Sequence, residues 1–381
     1  MTKCPWNRSE GSVFHATSSA LACFLASVVI ATFGTIGPAR GAEFGTWMVQ
    51  LTLNGQKLEG SPISWSDREI HLLGRDGRLW TFDPSEVTDF ANTTAPFRCY
   101  SPSELRSILL RELGSDYEVT GTGHYLVAHP RGEGDKWAQR FEDLYRSFVH
   151  YFAVRGFETT RPPFPLVGIV CKNQADFQRQ TTSLHGKAMP NGVLGYYNPE
   201  SNRIMLYDTG GKANSAHWKE NAKTVIHEAT HQMAFNMGVH SRYAPPPRWL
   251  AEGLAMLFEA PGVYDAPSNR EQYDRIDHVK LLAIQQSILP LHKPELLVAA
   301  IASDDLMRDN PAAGYAEAWA LTFFLVETEP AKYARYLKLT ASRPPFTEYT
   351  SAARVQDFSS VFGNDWKMLN ARFLRYITDL K

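Results

Sequence analysis

The stretch Thr224–Asn236 reads TVIHEATHQMAFN and carries His227, Glu228 and His231 in otherwise apolar surroundings. The two histidines are four residues apart, so on a helix they lie one turn above each other and can reach one ion. Ala222, Val225, Ile226, Ala229 and Met233 form a core-facing stripe of the same helix, expected over Trp218–Met237. Thr224, His227, Glu228, His231 and Phe235 form a second stripe. A buried carboxylate costs several kcal/mol unless a cation compensates it, and a divalent metal would compensate Glu228 and engage both imidazoles.

His-Glu-x-x-His is the helix motif of zinc hydrolases, in which the Glu serves as general base. The bland alternative is a helix with two satisfied histidines and a surface glutamate. A second segment, PPPRWLAEGLAMLFEAP, bears on the choice. Its prolines suit a helix start, and it places Glu252 among Trp249, Leu250, Ala251, Leu254 and Ala255. Catalytic zinc takes three protein ligands and keeps a fourth position for water. His227, His231 and Glu252 supply such a set for one Zn2+ per chain.

The elements around these residues follow from pattern. WMVQLTL alternates Trp47, Val49, Leu51 and Leu53 on one face, Asn54-Gly55 signals a tight hairpin, and EIHLL and RLWTF flank a second turn, GRDG. These short strands suggest a small N-terminal β-barrel-like, SH3-like domain over residues 43–92, separable from the rest, with ANTTAP as a linker. SPSELRSILLREL opens with a capping-box spacing, Ser101 to Glu104. YEVTGTGHYLVAHP reads as paired strands, and DKWAQRFEDLYRSFVHYFAVRG as an amphipathic helix ending near Gly156. PLVGIVCK reads as a buried strand, and VLGYYNPESNRIMLYD as two strands around a turn. Helices dominate from Ser215 onward. The expected fold class is α+β, with a mixed sheet and a mostly helical C-terminal half over residues 97–381.

Composition narrows the partners. Lys+Arg is 39 and Asp+Glu is 40, with no long single-sign run, so neither nucleic acid nor an anionic membrane surface is expected. Lys3 and Arg8 precede the apolar run ALACFLASVVIATFGTIGP and small residues at Ala39, Gly41 and Ala42. Residues 1–42 therefore read as a signal peptide, placing the mature chain outside the cytoplasm, with an uncleaved anchor as the alternative. Cys99 and Cys171 would survive cleavage and are read either as one disulfide or as two free thiols.

The motifs resemble a known group. His227-Glu228-x-x-His231 with Glu252 in WLAEGLA looks like the gluzincin metallopeptidases. More closely, HEATHQMAFNMG, RWLAEGLAMLFE and GYAEAWALTFFL are similar to an uncharacterised family of secreted planctomycete proteins placed with those peptidases; RSFVHYFAVRGF and GYYNPESNRIMLYD fit it too. The resemblance covers roughly residues 97–381 and implies a zincin-like domain. It also implies a peptide or protein substrate cleaved by a zinc-activated water with Glu228 as base. Two departures matter. Met256 stands where the thermolysin branch has an Asp, which leaves Glu259 as the candidate for orienting a ligand. The signature that anchors a substrate's free amine is missing, since Pro190 in GKAMPNG replaces the acid, so endopeptidase activity is expected over aminopeptidase activity.

A second donor to the reacting carbonyl could come from His240, His278, His292, Tyr264, Tyr273 or Tyr315. Tyr315 stands out. It opens GYAEAWALTFFLVE, with Trp319 and Phe323 continuing its stripe, and the resemblance includes it. A core tyrosine bonded to backbone is the alternative. NRIMLYD is read either as the edge strand on which a peptide lies or as a plain internal strand. The rival to a peptidase is a zinc-containing binding or surface-adhesion protein that works through its N-terminal β domain.

Overall fold

The computed structural model describes residues 47–133, 136–209, 216–291 and 294–381. Residues 1–42, expected to be a signal peptide, lie outside the described residues, as does His292. No helix among the described residues is long and apolar enough to cross a membrane.

The chain is α+β. Its first sheet is built from β1 (Trp47–Leu53), β2 (Gln56–Trp65), β3 (Ile70–Gly74), β4 (Leu79–Phe82) and β5 (Val87–Pro96), in the order β4-β3-β2-β1-β5. Asn54 and Gly55 both take positive φ, 50° and 80°, the conformation a two-residue hairpin turn requires. Val49, Leu51 and Leu53 enter the sheet's core with Leu58, Ile70, Leu72 and Phe82, whereas Trp47 is exposed. Two expectations are corrected. No strand pairing among the described residues joins β4 to β5, so the sheet is open rather than a closed barrel. ANTTAP is not a linker: it is the second half of β5, pairing with β1 as far as Pro96 opposite Trp47. Thr and Asn, which read as loop residues, are held extended there by the ladder.

The first sheet is fastened to the rest of the chain. The Leu79 N–H donates to the Glu200 carbonyl at 2.7 Å, and the Tyr100 N–H to the Arg75 carbonyl at 2.8 Å. Arg203 reaches Asp76 at 3.6 Å, and His71 stacks on Phe346 with ring centres 3.5 Å apart.

The second sheet contains β6 (Tyr117–Gly121), β7 (Tyr125–Pro130), β8 (Leu166–Cys171), β9 (Gly195–Asn198) and β10 (Arg203–Tyr207), in the order β6-β7-β8-β10-β9. β7, β8 and β10 run parallel, and β6 and β9 are antiparallel outer strands. Alternate residues serve two cores. Leu166, Val170, Ile204 and Leu206 face one, and Val167, Ile169, Met205 and Tyr207 face the other. α1 (Pro102–Leu113) and α3 (Gln174–His185) cover the second face; α2 (Lys136–Ala153) and α4 (Ala216–Asn236) cover the first. The capping box at α1 forms as expected, with the Ser101 N–H donating to Glu104 Oε2 at 2.8 Å and the Glu104 N–H to Ser101 Oγ at 3.3 Å. Cys99 and Cys171 are free, the latter buried in β8.

The remaining helices are α5 (Arg248–Phe258), α6 (Pro261–Tyr264), α7 (His278–Ala283), α8 (Pro294–Ala302), α9 (Asp305–Asp309), α10 (Pro311–Thr328), α11 (Pro330–Ala341), α12 (Ser351–Phe362) and α13 (Trp366–Asp379). α5 and α10 are buried along most of their length and pack on each other inside this bundle.

Candidate metal centre

α4 carries the opening motif between the sheet and the helical bundle. Val225, Ile226, Ala229 and Met233 are buried as the stripe requires. Two polar side chains tie the helix to the strands. Gln232 Nε2 donates to the carbonyls of Val167 and Asn202 at 3.0 and 2.9 Å, and Asn236 Nδ2 donates to Asn202 Oδ1 at 2.7 Å. Gly195 lets β9 lie close to α4: a Cβ there would fall 2.7 Å from Leu206 Cβ and 3.1 Å from Thr224 Cγ2. That approach brings the Tyr197 N–H to 2.7 Å from Glu228 Oε2.

α5 supplies the third member. Gly253 makes its position possible, because α5 meets α10 there with no room for a side chain: a Cβ would lie 2.1 Å from Thr322 Oγ1 and 2.6 Å from the Ala318 carbonyl. Glu252, the preceding residue, is buried and points at α4. Its Oε2 lies 3.3 Å from His227 Nε2 and 3.5 Å from His231 Nε2, and the two Nε2 atoms are 3.1 Å apart. One ligand atom from each of His227, His231 and Glu252 thus falls within 4.8 Å of the others. Glu252 Oε1 is buried with no hydrogen-bond partner among the described residues. A lone buried carboxylate oxygen beside two converging imidazoles suits a divalent cation, and the two-nitrogen, one-oxygen donor set suits zinc.

Glu259, just past the end of α5, orients the first histidine. His227 Nδ1 bonds Glu259 Oε1 at 2.8 Å, which leaves Nε2 for the cluster. Glu259 Oε2 accepts from Lys280 Nζ at 3.1 Å, and Lys280 also bonds Asp277 at 2.7 Å. Asp277 caps α7 through the Val279 and Lys280 N–H groups and lies 3.9 Å from Lys223, one turn before His227 on α4. Three helices are thereby joined around one imidazole. Sequence pattern pointed to Glu259 but gave no sign of Lys280 or Asp277, whose partners lie far along the chain.

Burial opposes charge on all three acids, with different outcomes. Despite burial, electrostatic attraction to His231 and hydrogen bonds to His227 and His231 hold the Glu252 carboxyl well below the usual range. Glu259 is likewise lowered, by His227 and Lys280. At Glu228 burial wins over the pull of His227, His231 and the Tyr197 N–H, and its carboxyl is raised. A raised carboxyl next to the ligand cluster is suited to exchanging a proton.

Tyr315 lies at the start of α10, where its hydroxyl accepts from Arg248 Nη2 at 3.2 Å. Arg248 stands four residues before Glu252 on α5. The other candidate donors are placed differently. His240 is buried against Phe235, and burial together with His231 pushes it down to about 3, so it is neutral. His278 stacks on the exposed Tyr273 and contacts its carbonyl at 3.1 Å, and Tyr264 is half-buried against the core. NRIMLYD is the internal strand of its two readings: β10 is paired on both sides, and the edge strand is β9.

A family model described as "Protein of unknown function (DUF1570)" matches residues 221–347, a span that holds His227, Glu228, His231, Glu252 and Tyr315 and is less than half of the chain. No curated protein matches. Among solved structures, an M1 zinc metallopeptidase mutant from Deinococcus radiodurans bound to a Tyr-Ser-Ala substrate is similar at 14% identity and a TM-score of 0.35, over 68% of this chain and 50% of that one. A mutant structure of M1 zinc metallopeptidase from the same organism is similar at 14% identity and a TM-score of 0.36, over 69% and 52%. The chain thus spans only half the length of these structures, and at that level of similarity they bear on neither activity nor substrate.

Proposed function

We propose that the chain is a zinc-dependent peptidase, with His227, His231 and Glu252 as ligands, Glu228 as general base and an extended polypeptide as substrate. One observation carries the reading: two imidazole nitrogens and a buried carboxylate oxygen converge within 4.8 Å, and the residue after the first histidine is a second, half-buried carboxylate held by the Tyr197 N–H. Bound zinc supplies Lewis acidity and lowers the pKa of a water ligand to about 7. Glu228 takes the proton from water and hands it to the leaving amine, a role worth roughly 10²–10⁴-fold. Its Oε2 is held by the Tyr197 N–H, which fixes the carboxylate and leaves Oε1 to carry the proton.

β9 supports a polypeptide substrate. Tyr197 sits opposite Ile204 in the ladder, while the flanking Tyr207 N–H donates across to Leu194. By the alternation of antiparallel pairs, the Tyr197 peptide faces off the sheet's edge. A chain added antiparallel to β9 would be recognised through its backbone and would pass Glu228. Endopeptidase action is the finer part of the proposal, because such docking needs no free amine. Tyr315 is proposed as the donor to the carbonyl oxygen as charge develops there.

The test is metal content and hydrolysis together. The purified chain should hold one zinc, and Glu228→Gln should keep the metal and lose peptide hydrolysis, because Glu228 is a base and not a ligand. Hydrolysis by Glu228→Gln at the parent rate would sink the assignment. A second reading, a binding role for the first sheet, is favoured by the exposed pair Trp65 and Phe90, whose rings meet edge-on at 5.3 Å. Intact binding to a cell-surface fraction by a chain with no hydrolytic activity would favour it.

A further inference from the structure

An open cleft of about 730 Å³ lies between the segment that follows the first sheet and the β6–β7 end of the second, and none of the residues assigned above lines it. Its walls are the segment Arg98–Pro102 and the loop Arg161–Pro165, and its floor is the turn between β6 and β7. Every wall is fixed. Arg75 Nε donates to the Arg98 carbonyl at 2.9 Å with the guanidinium over the Tyr100 ring, and the Leu166 N–H donates to the His124 carbonyl at 2.9 Å. Beneath the floor, buried Glu142 accepts from Thr122 Oγ1 at 2.7 Å and from the His124 N–H at 3.1 Å, and it bonds His124 Nδ1 at 2.9 Å. The His124 ring also stacks on Tyr145, so Nε2 is the nitrogen left for the cleft.

The cleft is cationic although the whole chain carries a net charge of −1. Arg98, Arg106 and Arg161 come from three separate segments. Arg98 has only a 4.0 Å approach to Glu104, and Glu142 is taken up by Thr122 and His124. Among the described residues no carboxylate lies within ion-pairing distance of Arg106 or Arg161. The Arg106 guanidinium lies over the floor in space that Gly121 leaves open, 2.9 Å from where a Cβ would stand. The guanidinium groups of Arg106 and Arg161, without carboxylate partners among the described residues, and that of Arg98, only distantly paired with Glu104, are donors available to oxyanions.

We propose that this cleft binds acidic segments of polypeptides, with side-chain carboxylates on Arg98, Arg106 and Arg161 and His124 Nε2 as a further donor. Its volume is several times what a single small oxyanion fills, and its cations are distributed over three walls, which calls for several anionic groups spaced along one ligand. Between them, Tyr100 and the prolines at 162, 163 and 165 offer the apolar contact that the backbone and methylenes of a glutamate-rich segment would use. The binding does not depend on the proposed hydrolysis, so either can fail without the other.

The experiment is fluorescence anisotropy of a labelled oligoglutamate peptide with the full chain. Saturable binding is expected, weakening as ionic strength rises. The double variant Arg106→Ala/Arg161→Ala should bind roughly tenfold more weakly, the combined effect of two lost surface-accessible ion pairs, whereas the exposed control Arg375→Ala on α13 should not change it. The single variants Arg106→Gln and Arg161→Gln, checked by circular dichroism, should each lose a few-fold in affinity even if the double variant fails to fold. Absence of saturable binding, or equal binding by the double variant or both single variants, overturns the proposal. So does tighter binding of inorganic phosphate or of a short single-stranded oligonucleotide at the same cleft.

Discussion

Glu317 provides a quantitative test of the packing that sets the third ligand. It lies on α10, which packs against α5, and is only 3% exposed. Its Oε1 has no hydrogen-bond partner among the described residues, and it lines, with Trp249, a cavity of about 10 Å³, the size of one water. Burial pushes its carboxyl up to about 7 from an ordinary 4.5. The folded chain therefore keeps this proton to about neutral pH, while the unfolded chain releases it from about pH 4.5 upward. Between those limits the folded state binds more protons, so stability falls as pH rises. The loss is the difference between about 7 and 4.5 at 1.36 kcal/mol per unit, or about 3 kcal/mol, complete above the folded value. Glu317→Gln keeps the shape and removes the ionisation. It should match the parent near about pH 4 and exceed it by about 3 kcal/mol near about pH 8. Urea unfolding of parent and variant at each pH, with chelator present, gives the difference directly, because every other titrating group cancels. A difference that does not change with pH, or a Gln variant that is less stable at high pH, would refute the reasoning. It would mean that Glu317 is ionised and paired in the fold.

Other consequences can be measured separately. Glu259→Gln and Lys280→Ala should each weaken zinc affinity about 10- to 100-fold in chelator competition, because His227 loses its orienting partner or that partner loses its anchor; unchanged affinity in both would remove the network from the site. Gly253→Ala drives a methyl into Thr322 and the Ala318 carbonyl, and should lower stability by about 1–3 kcal/mol or more by calorimetry while weakening metal binding through Glu252. Tyr315→Phe should cut turnover about 10²-fold with zinc content and folding unchanged. Full turnover in that variant would leave the Tyr315 hydroxyl as a structural partner of Arg248.

What the sequence determined by itself is what neighbours along the chain control. A repeat of 3.6 residues puts His227 over His231 wherever α4 sits, and Asn54-Gly55 turns a hairpin because both residues tolerate positive φ. Ser101 caps α1 with atoms three residues away. The donor types were legible for the same reason, since Glu252 stands among apolar residues that had to be buried. Contacts between distant segments were decided only in the folded chain. The convergence of Glu252 on both imidazoles depends on α5 sinking against α10 at Gly253, and the fastening of His227 depends on Glu259 meeting a lysine 21 residues further on. The edge strand shows the limit most clearly. β9 and β10 are both short and apolar, and β10 is buried on both faces between β8 and β9. Its unbroken run of Ile204, Met205, Leu206 and Tyr207 was the trace of that position. Which strand then remained at the edge, with its Tyr197 N–H on Glu228, was settled by how two cores fill from opposite faces of one sheet.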